Sequence, residues 1–498
     1  MAARPPCDGE RLPATVKNSA DLAPSGLRKS RQVLPRSRIW KGSRPIEKAR
    51  ADTIHRGNPY RAVLRREYPE PLIALLAFIL GIWLWDHYFG KTQGYPPGTE
   101  EIALVKIDRD LRLAEAMHED PAWLKWLAGA DDAVVVRRDA LEVFGKLAVE
   151  KALTAQGLEA FAIVKAEHDN LPIREVLGQV MQGQMISDFE TTSADLASHR
   201  GTWWHAKLIE SWQQMMPPAS HWQQAYGADL IQLRTRAVMA RSAVWLLGLV
   251  GLAFLPQALR SLKKGVFAKP TGYAGAWPLA LGLVVFLVAT LAWIGFTMTL
   301  ELGISSLPGL HPALGIFLDS AARLLPSMIA LALLFRRPSH AARVLGLARR
   351  ISLPVVLGMF SLLMILDQVL RWAMAGTGLN NPGGGLSLGD DGLWGLAFGV
   401  VSACLLAPVA EEILYRGVLF GSARNRLGVV PAALLSSAVF AILHFYDSYG
   451  LASVGVFGFS CALVYAGTGS LSTVIALHML YNTAIKIPEW IVYHAPFR

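Results

Sequence analysis

Apolar stretches of about twenty residues, almost free of charge, recur along this chain, and they restrict its fold more than any other feature. A bilayer's hydrocarbon core is about 30 Å thick and takes about 20 helical residues to cross. Of the 498 residues, 53% are hydrophobic and only 17% are charged, whereas soluble domains are about a quarter charged. The sequence therefore predicts an all-α, polytopic transmembrane helix bundle of about eight or nine spans. The three cysteines, Cys7, Cys404 and Cys461, are far apart and form neither a disulfide framework nor a zinc-knuckle spacing.

Charge divides the chain. Residues 1–69 hold sixteen Lys/Arg among Pro and Ser, which reads as a disordered cytoplasmic tail and an orientation signal rather than a nucleic-acid contact. A first span is expected at Pro71–Phe89, with Trp83, Trp85 and Tyr88 as an interfacial belt. Residues 90–240 are charged throughout and hold no run long enough to span. Leu141, Phe144 and Ala148 there repeat as on one helix face, so a mostly helical, water-facing insert is expected. Further spans are expected at Ser242–Leu259, Trp277–Thr299, Ala313–Phe335 and Leu353–Met374, within an accessory block 241–375. The core block 376–498 holds Leu393–Gly421, Val430–Tyr446, Leu451–Ala466 and Leu471–Tyr493, with breaks at Gly428, Gly450 and Gly467–Gly469. Basic loops (Arg260 to Lys269; Arg336 to Arg350) alternate with a Gly-rich loop carrying Asp390 and Asp391. By the positive-inside rule the N-terminus is cytoplasmic and the insert extracytoplasmic. The Trp-rich, Ala/Leu/Arg-heavy style points to a bacterial plasma membrane.

Carboxylates inside a span are costly and mark function by default. Glu411 and Glu412 end a charge-free run from Leu393 to Ala410. Glu412 and Arg416 are i, i+4 with the acid first, the better order for a pair, so Glu412 reads as a structural partner. Glu411 is rotated about 100° away, lacks that partner, and suits a general base. His444 follows on the next apolar segment. His478 and Asn482 share one face of the last, which suits metal ligation or oxyanion donation. At 1.5 Å per residue, Glu411 lies about 18 Å from the turn at 424–428, His444 about 21 Å from it, and His478 about 11 Å into its span. The group can therefore meet in one cavity. Asp319 with Arg323, and Asp367 with Arg371, have ion-pair spacing and read as neutralised intramembrane pairs. Their alternative use is a proton-coupled transport path.

Glu411-Glu412-Ile413-Leu414-Tyr415-Arg416, then Phe440 through His444, then His478 through Asn482, resemble the motifs of the CPBP (CAAX protease and bacteriocin-processing, Abi) family of intramembrane endopeptidases, which includes type II CAAX prenyl endopeptidases. The resemblance covers about residues 350–493. It implies hydrolysis of a peptide bond in a peptide or protein tail that enters the membrane cavity. Glu411 would activate water with His444, His478 and Asn482 would stabilise the oxyanion, and Glu412 with Arg416 would brace the helix. The substrate implied is a CAAX tail, a bacteriocin-like peptide or another membrane protein. The resemblance allows both a metalloprotease and a metal-free glutamate mechanism. Glu411, His444 and His478 can complete a three-ligand zinc site, although no HExxH is present. A non-catalytic binding or immunity protein is the alternative.

Overall fold

The computed structural model describes residues 70–84, 99–150, 152–173, 175–176, 202–213, 220–268, 277–305, 317–318, 321–374, 393–444, 446 and 448–493. The tail 1–69, the loop with Asp390 and Asp391, and Asp319 lie outside the described residues. All described elements are helices.

After α1 (Glu70–Leu84), the insert contributes α2 (Thr99–Ala116), α3 (Ala122–Ala128), α4 (Ala133–Val149), α5 (Ala155–Asp169) and α6 (Trp203–Gln213). Local chemistry fixes their ends. Gly129, at φ 69°, closes α3 in the left-handed region, which glycine enters without a Cβ penalty. Thr154 Oγ1 accepts the Gly157 N–H at the start of α5. Ala140 and Phe144 face a core shared with Ile107, Leu111, Ile163, Trp203 and Leu208, and Leu147 on the same helix is buried too. Leu141 packs at its edge, but Ala148 is exposed. The expected face is thus turned by one residue, because α4 meets two neighbours rather than one. Beneath Trp203, Asp108 accepts that residue's N–H at 2.5 Å. Burial pushes the Asp108 carboxyl above its usual range, against the pull of Arg112, the Trp203 N–H and Arg109.

The apolar portion comprises α1, α7 (Ser220–Leu252), α8 (Leu255–Val266), α9 (Leu279–Ser305), α10 (Leu325–Leu334), α11 (Pro338–Val344) and α12 (Leu353–Ala373). Next, α13 runs unbroken through Leu393–Gly399, a π-helical Val400–Leu406, Ala407–Glu411, a second π-helical Glu412–Phe420 and Gly421–Leu427. Then come α14 (Val429–Ile442), α15 (Ser448–Thr468) and α16 (Leu471–Tyr493). Among the described residues five stretches are long and apolar enough to cross a membrane: Gln224–Leu252, Leu279–Thr297, Leu353–Ala373, Leu396–Leu427 and Ser448–Thr468. Three shorter apolar helices, Leu72–Leu84, Leu325–Leu334 and Val429–Ile442, accompany them.

Several expected boundaries move. The limit drawn at residue 240 falls inside α7, whose first half belongs to the insert: Leu233 and Ala237 pack with Leu113, Met117 and Ala128. The span expected at Ser242–Leu259 breaks at Ala253–Phe254, just before Pro256. The break expected at Gly450 lies earlier. α14 ends at Ile442 and Gly450 falls in the first turn of α15, because His444 Nδ1 takes the Phe440 carbonyl at 2.6 Å and caps the helix.

Helices approach closely where side chains are absent. A Cβ on Gly467 would collide with the Ser261 carbonyl, and one on Gly265 with that of Leu463, so α8 and α15 touch backbone to backbone in the small-residue manner of membrane helices. Arg349 Nη1 donates to Thr468 O at 3.0 Å, and Tyr465 Oη to Leu345 O at 3.0 Å. The basic loop 336–350 therefore lies at the start of α16. The far end of α16 meets the insert, where Val492 joins Leu113 and Met117.

Candidate active site

The site begins with a helix that cannot complete its own hydrogen bonds. At the end of the first π segment of α13, the Ala407 N–H bonds to Ser402 O, five residues back. In that register the next donor, for Ala403 O, would be residue 408, which is proline and has no N–H. Asn482 Nδ2 donates to Ala403 O instead, at 2.7 Å. Seven residues on, Ser327 Oγ donates to Ala410 O at 2.6 Å, in a buried position. Ser436 Oγ then donates to Tyr415 O at 3.0 Å. Side chains from α16, α10 and α14 thus hold three carbonyls around Glu411 and Glu412. Such π segments are rare and occur frequently at functional sites.

The two glutamates divide by burial. Glu412 and Arg416 are both wholly buried, with Oε1 to Nη1 at 3.1 Å. The expected i, i+4 ion pair is present. Glu411 keeps 21% of its side chain exposed. His478 stands between them. Its Nδ1 lies 2.8 Å from Glu412 Oε1 and its Nε2 lies 3.8 Å from Glu411 Oε2. Glu412 therefore serves two partners, not Arg416 alone. The 100° rotation that separates the carboxylates does not exclude a common partner, because the imidazole offers a nitrogen on each of two edges.

Phe440 forms the floor. Its buried ring lies 4.3 Å under the Arg416 guanidinium, a cation–π contact in a desolvated setting. The same ring meets Tyr415 at 4.9 Å, His444 at 4.5 Å and His478 at 6.2 Å. Both histidines thus share one aromatic wall. Phe457 closes the other side of His478 at 4.7 Å. Because Nδ1 of His444 donates to a carbonyl, its Nε2 is the acceptor edge. His444 stands in the turn after α14, not on the helix as expected.

Glu411, Glu412, Arg416 and His478 are therefore in direct contact, and His444 joins them through Phe440. Asn482 lies one turn beyond His478, yet its amide is engaged with Ala403 O. Among the described residues no group of three or more His, Cys, Asp or Glu side chains is arranged to hold a metal ion. Both His478 nitrogens address carboxylates and His444 Nδ1 addresses a carbonyl. The three-ligand set Glu411, His444 and His478 is not drawn together as such a group in this structure.

Sequence reasoning missed Gly458 and Ser327. A Cβ on Gly458 would sit 3.0 Å from Arg416 Nη2 and 3.2 Å from Phe440 Cδ1, so a larger residue would press on the guanidinium and the ring. An apolar segment with glycine at 450, 455 and 458 was the available signal. The second expected pair forms too: Arg371 Nε to Asp367 Oδ2 is 3.1 Å. Tyr449 Oη and Ser453 Oγ also donate to Asp367 Oδ1, at 2.5 and 3.0 Å. The Asp319–Arg323 pair lies outside the described residues, through Asp319.

Residues 393–484 match the Rce1-like family of type II CAAX prenyl endopeptidases. The chain is also 31% identical over 90 residues to "Putative membrane peptidase YdiL" of Bacillus subtilis (strain 168). That similarity covers 18% of this chain and 36% of the relative, so the chain spans about a third of the curated protein it matches. No solved structure matches. The matched segment contains α13, α14, α15 and most of α16, and with them every residue of the glutamate–histidine cluster, so the chain carries an Rce1-like type II CAAX prenyl endopeptidase (CPBP) domain at residues 393–484.

Proposed function

We propose that the chain is an intramembrane endopeptidase in which Glu411 activates a water molecule. The observation that carries this reading is the clamping of His478 between a wholly buried carboxylate and a partly accessible one. Glu412 accepts from Nδ1, which directs Nε2 towards Glu411. Glu411, Glu412 and Arg416 sum to one negative charge, so a single proton on His478 or Glu411 neutralises the cluster. Neutrality matters where charge is expensive. With the proton on His478, Glu411 is the free base and the Nε2–H is a donor.

Water held by Glu411, with the His444 Nε2 edge assisting, attacks the peptide carbonyl carbon. Glu411 takes the water proton as the C–O bond forms, and the carbonyl oxygen becomes an oxyanion stabilised by His478. Glu411 then returns the proton to the leaving amine as the C–N bond breaks. Asn482, bonded to Ala403 O, contributes chiefly by holding α13 in its π register. The substrate is a peptide or protein tail, of CAAX, bacteriocin-like or membrane-protein type. The basic loop at the start of α16 supports a cytoplasmic assignment for that end. The insert, at the other end, is then extracytoplasmic.

The test compares peptides cleaved in membranes holding wild-type protein and Glu411→Gln. We expect inserted protein and a loss of cleavage of at least about 10²-fold, as for removal of a general base. Undiminished cleavage or function in the Glu411→Gln variant would sink the catalytic reading and leave a membrane binding or immunity protein.

A further inference from the structure

α3 is only seven residues long, Ala-Trp-Leu-Lys-Trp-Leu-Ala, yet it exposes two large aromatic side chains from a water-facing domain. Trp123 is 65% and Trp126 54% exposed. Its inner face is used: Ala128 is buried and Leu124 packs beside it, against Leu233 and Ala237 of α7.

The position of α3 along α7 says what meets its outer face. α7 has 33 residues, about 50 Å at 1.5 Å each, against a hydrocarbon core of about 30 Å. It must project from the bilayer, and its first half carries the insert. Its second half exposes Leu246, Leu249 and Val250, as a lipid-facing surface does. α3 sits where the two halves meet. The Trp126 ring lies 4.6 Å from that of Trp245, one turn before Leu249. Trp126 and Trp245 then line a groove of about 350 Å³ together with Ile365, Val369 and Trp372 of α12. These are the last turns of a spanning helix, and Trp372 is 82% exposed. The apolar surface of two spanning helices therefore continues without a gap onto α3. The Arg241 guanidinium lies 3.6 Å from where a Cβ on Gly129 would stand, which places a cation at the same level.

We propose that α3 is an interfacial anchor, with Trp123 and Trp126 seated in the headgroup layer of the bilayer beside Trp245 and Trp372. The partner is the lipid surface. Tryptophan suits this layer because one edge is apolar and the indole N–H is polar, and Arg241 complements anionic headgroups. The insert is thereby held against the membrane rather than swinging above it. The reading is independent of the chemistry at Glu411.

The test uses the full chain in phosphatidylethanolamine–phosphatidylglycerol vesicles, with Cys7→Ser and the buried Cys404 and Cys461 retained. Spin labels are placed by Trp123→Cys, by Leu249→Cys as a lipid reference and by Val149→Cys as a water reference. Val149 is 81% exposed, sixteen residues or about 24 Å along α4 from its start. Collisions with oxygen should exceed those with a water-soluble nickel chelate at positions 123 and 249, and fall below them at 149. A label at 123 that behaves like that at 149 overturns the proposal, and so does spin–spin coupling between labels at 123, which would mean a second copy covers α3. Should Trp123→Cys disturb folding, brominated lipid quenching of the native fluorescence decides. Quenching must fall in Trp123→Phe with Trp126→Phe, and unchanged quenching overturns the proposal.

Discussion

Two acid–arginine pairs in this bundle share one spacing and differ in nearly everything else. Glu412–Arg416 and Asp367–Arg371 are both i, i+4 with the acid first. Each closes to 3.1 Å. In the first, both side chains are wholly buried and the carboxylate also meets His478. In the second, 61% of Arg371 is exposed, and hydroxyls of Tyr449 and Ser453 complete the carboxylate. The spacing creates a pair, and the surroundings decide its use. Asp367 is finished by hydroxyl donors and ties α12 to α15. Glu412 is joined by an imidazole whose other edge addresses a partly accessible carboxylate.

The comparison breaks or sharpens under substitution, with unfolding in micelles as the measurement. Arg416→Ala should have the largest effect, a loss of about 3–5 kcal/mol, because it leaves a buried carboxylate without its cation. A loss as small as that of Arg371→Ala would mean the two pairs do not differ. Gly458→Ala should cost about 1–3 kcal/mol by overpacking against Arg416 and Phe440. An unchanged midpoint would mean that α15 can shift away. Asn482→Ala should cost about 1–2 kcal/mol because the part-buried Ala403 carbonyl loses its donor. Lost cleavage at unchanged stability would instead assign Asn482 to the oxyanion alone. Arg371→Ala should have the smallest effect, at most about 1 kcal/mol, since its guanidinium is largely exposed.

Much of this was legible in the residues. Apolar run length predicted helices, and most of the named runs are helical. Acid-before-base spacing predicted both described pairs, because neighbours one turn apart face each other whatever surrounds them. The motif order also pointed to the matched segment 393–484. Ends were less legible. Nothing in Val430–Tyr446 tells that the helix stops at Ile442, because the stop depends on the imidazole of His444 folding back on Phe440 O. The one-residue turn of α4, which exposes Ala148, depends likewise on packing partners far along the chain.

By itself the sequence determined that the chain is a helical membrane protein, which residues carry charge into its apolar segments, and which of them lie one turn apart. These are local properties, set by hydrophobicity and helical period. Only the tertiary structure decided that one imidazole from α16 reaches both glutamates, and that Asn482 supplies the bond Pro408 cannot. It also placed Gly458 where the Arg416 guanidinium needs room. Each of these joins groups tens of residues apart, and a buried polar atom takes whichever partner the packing brings within reach.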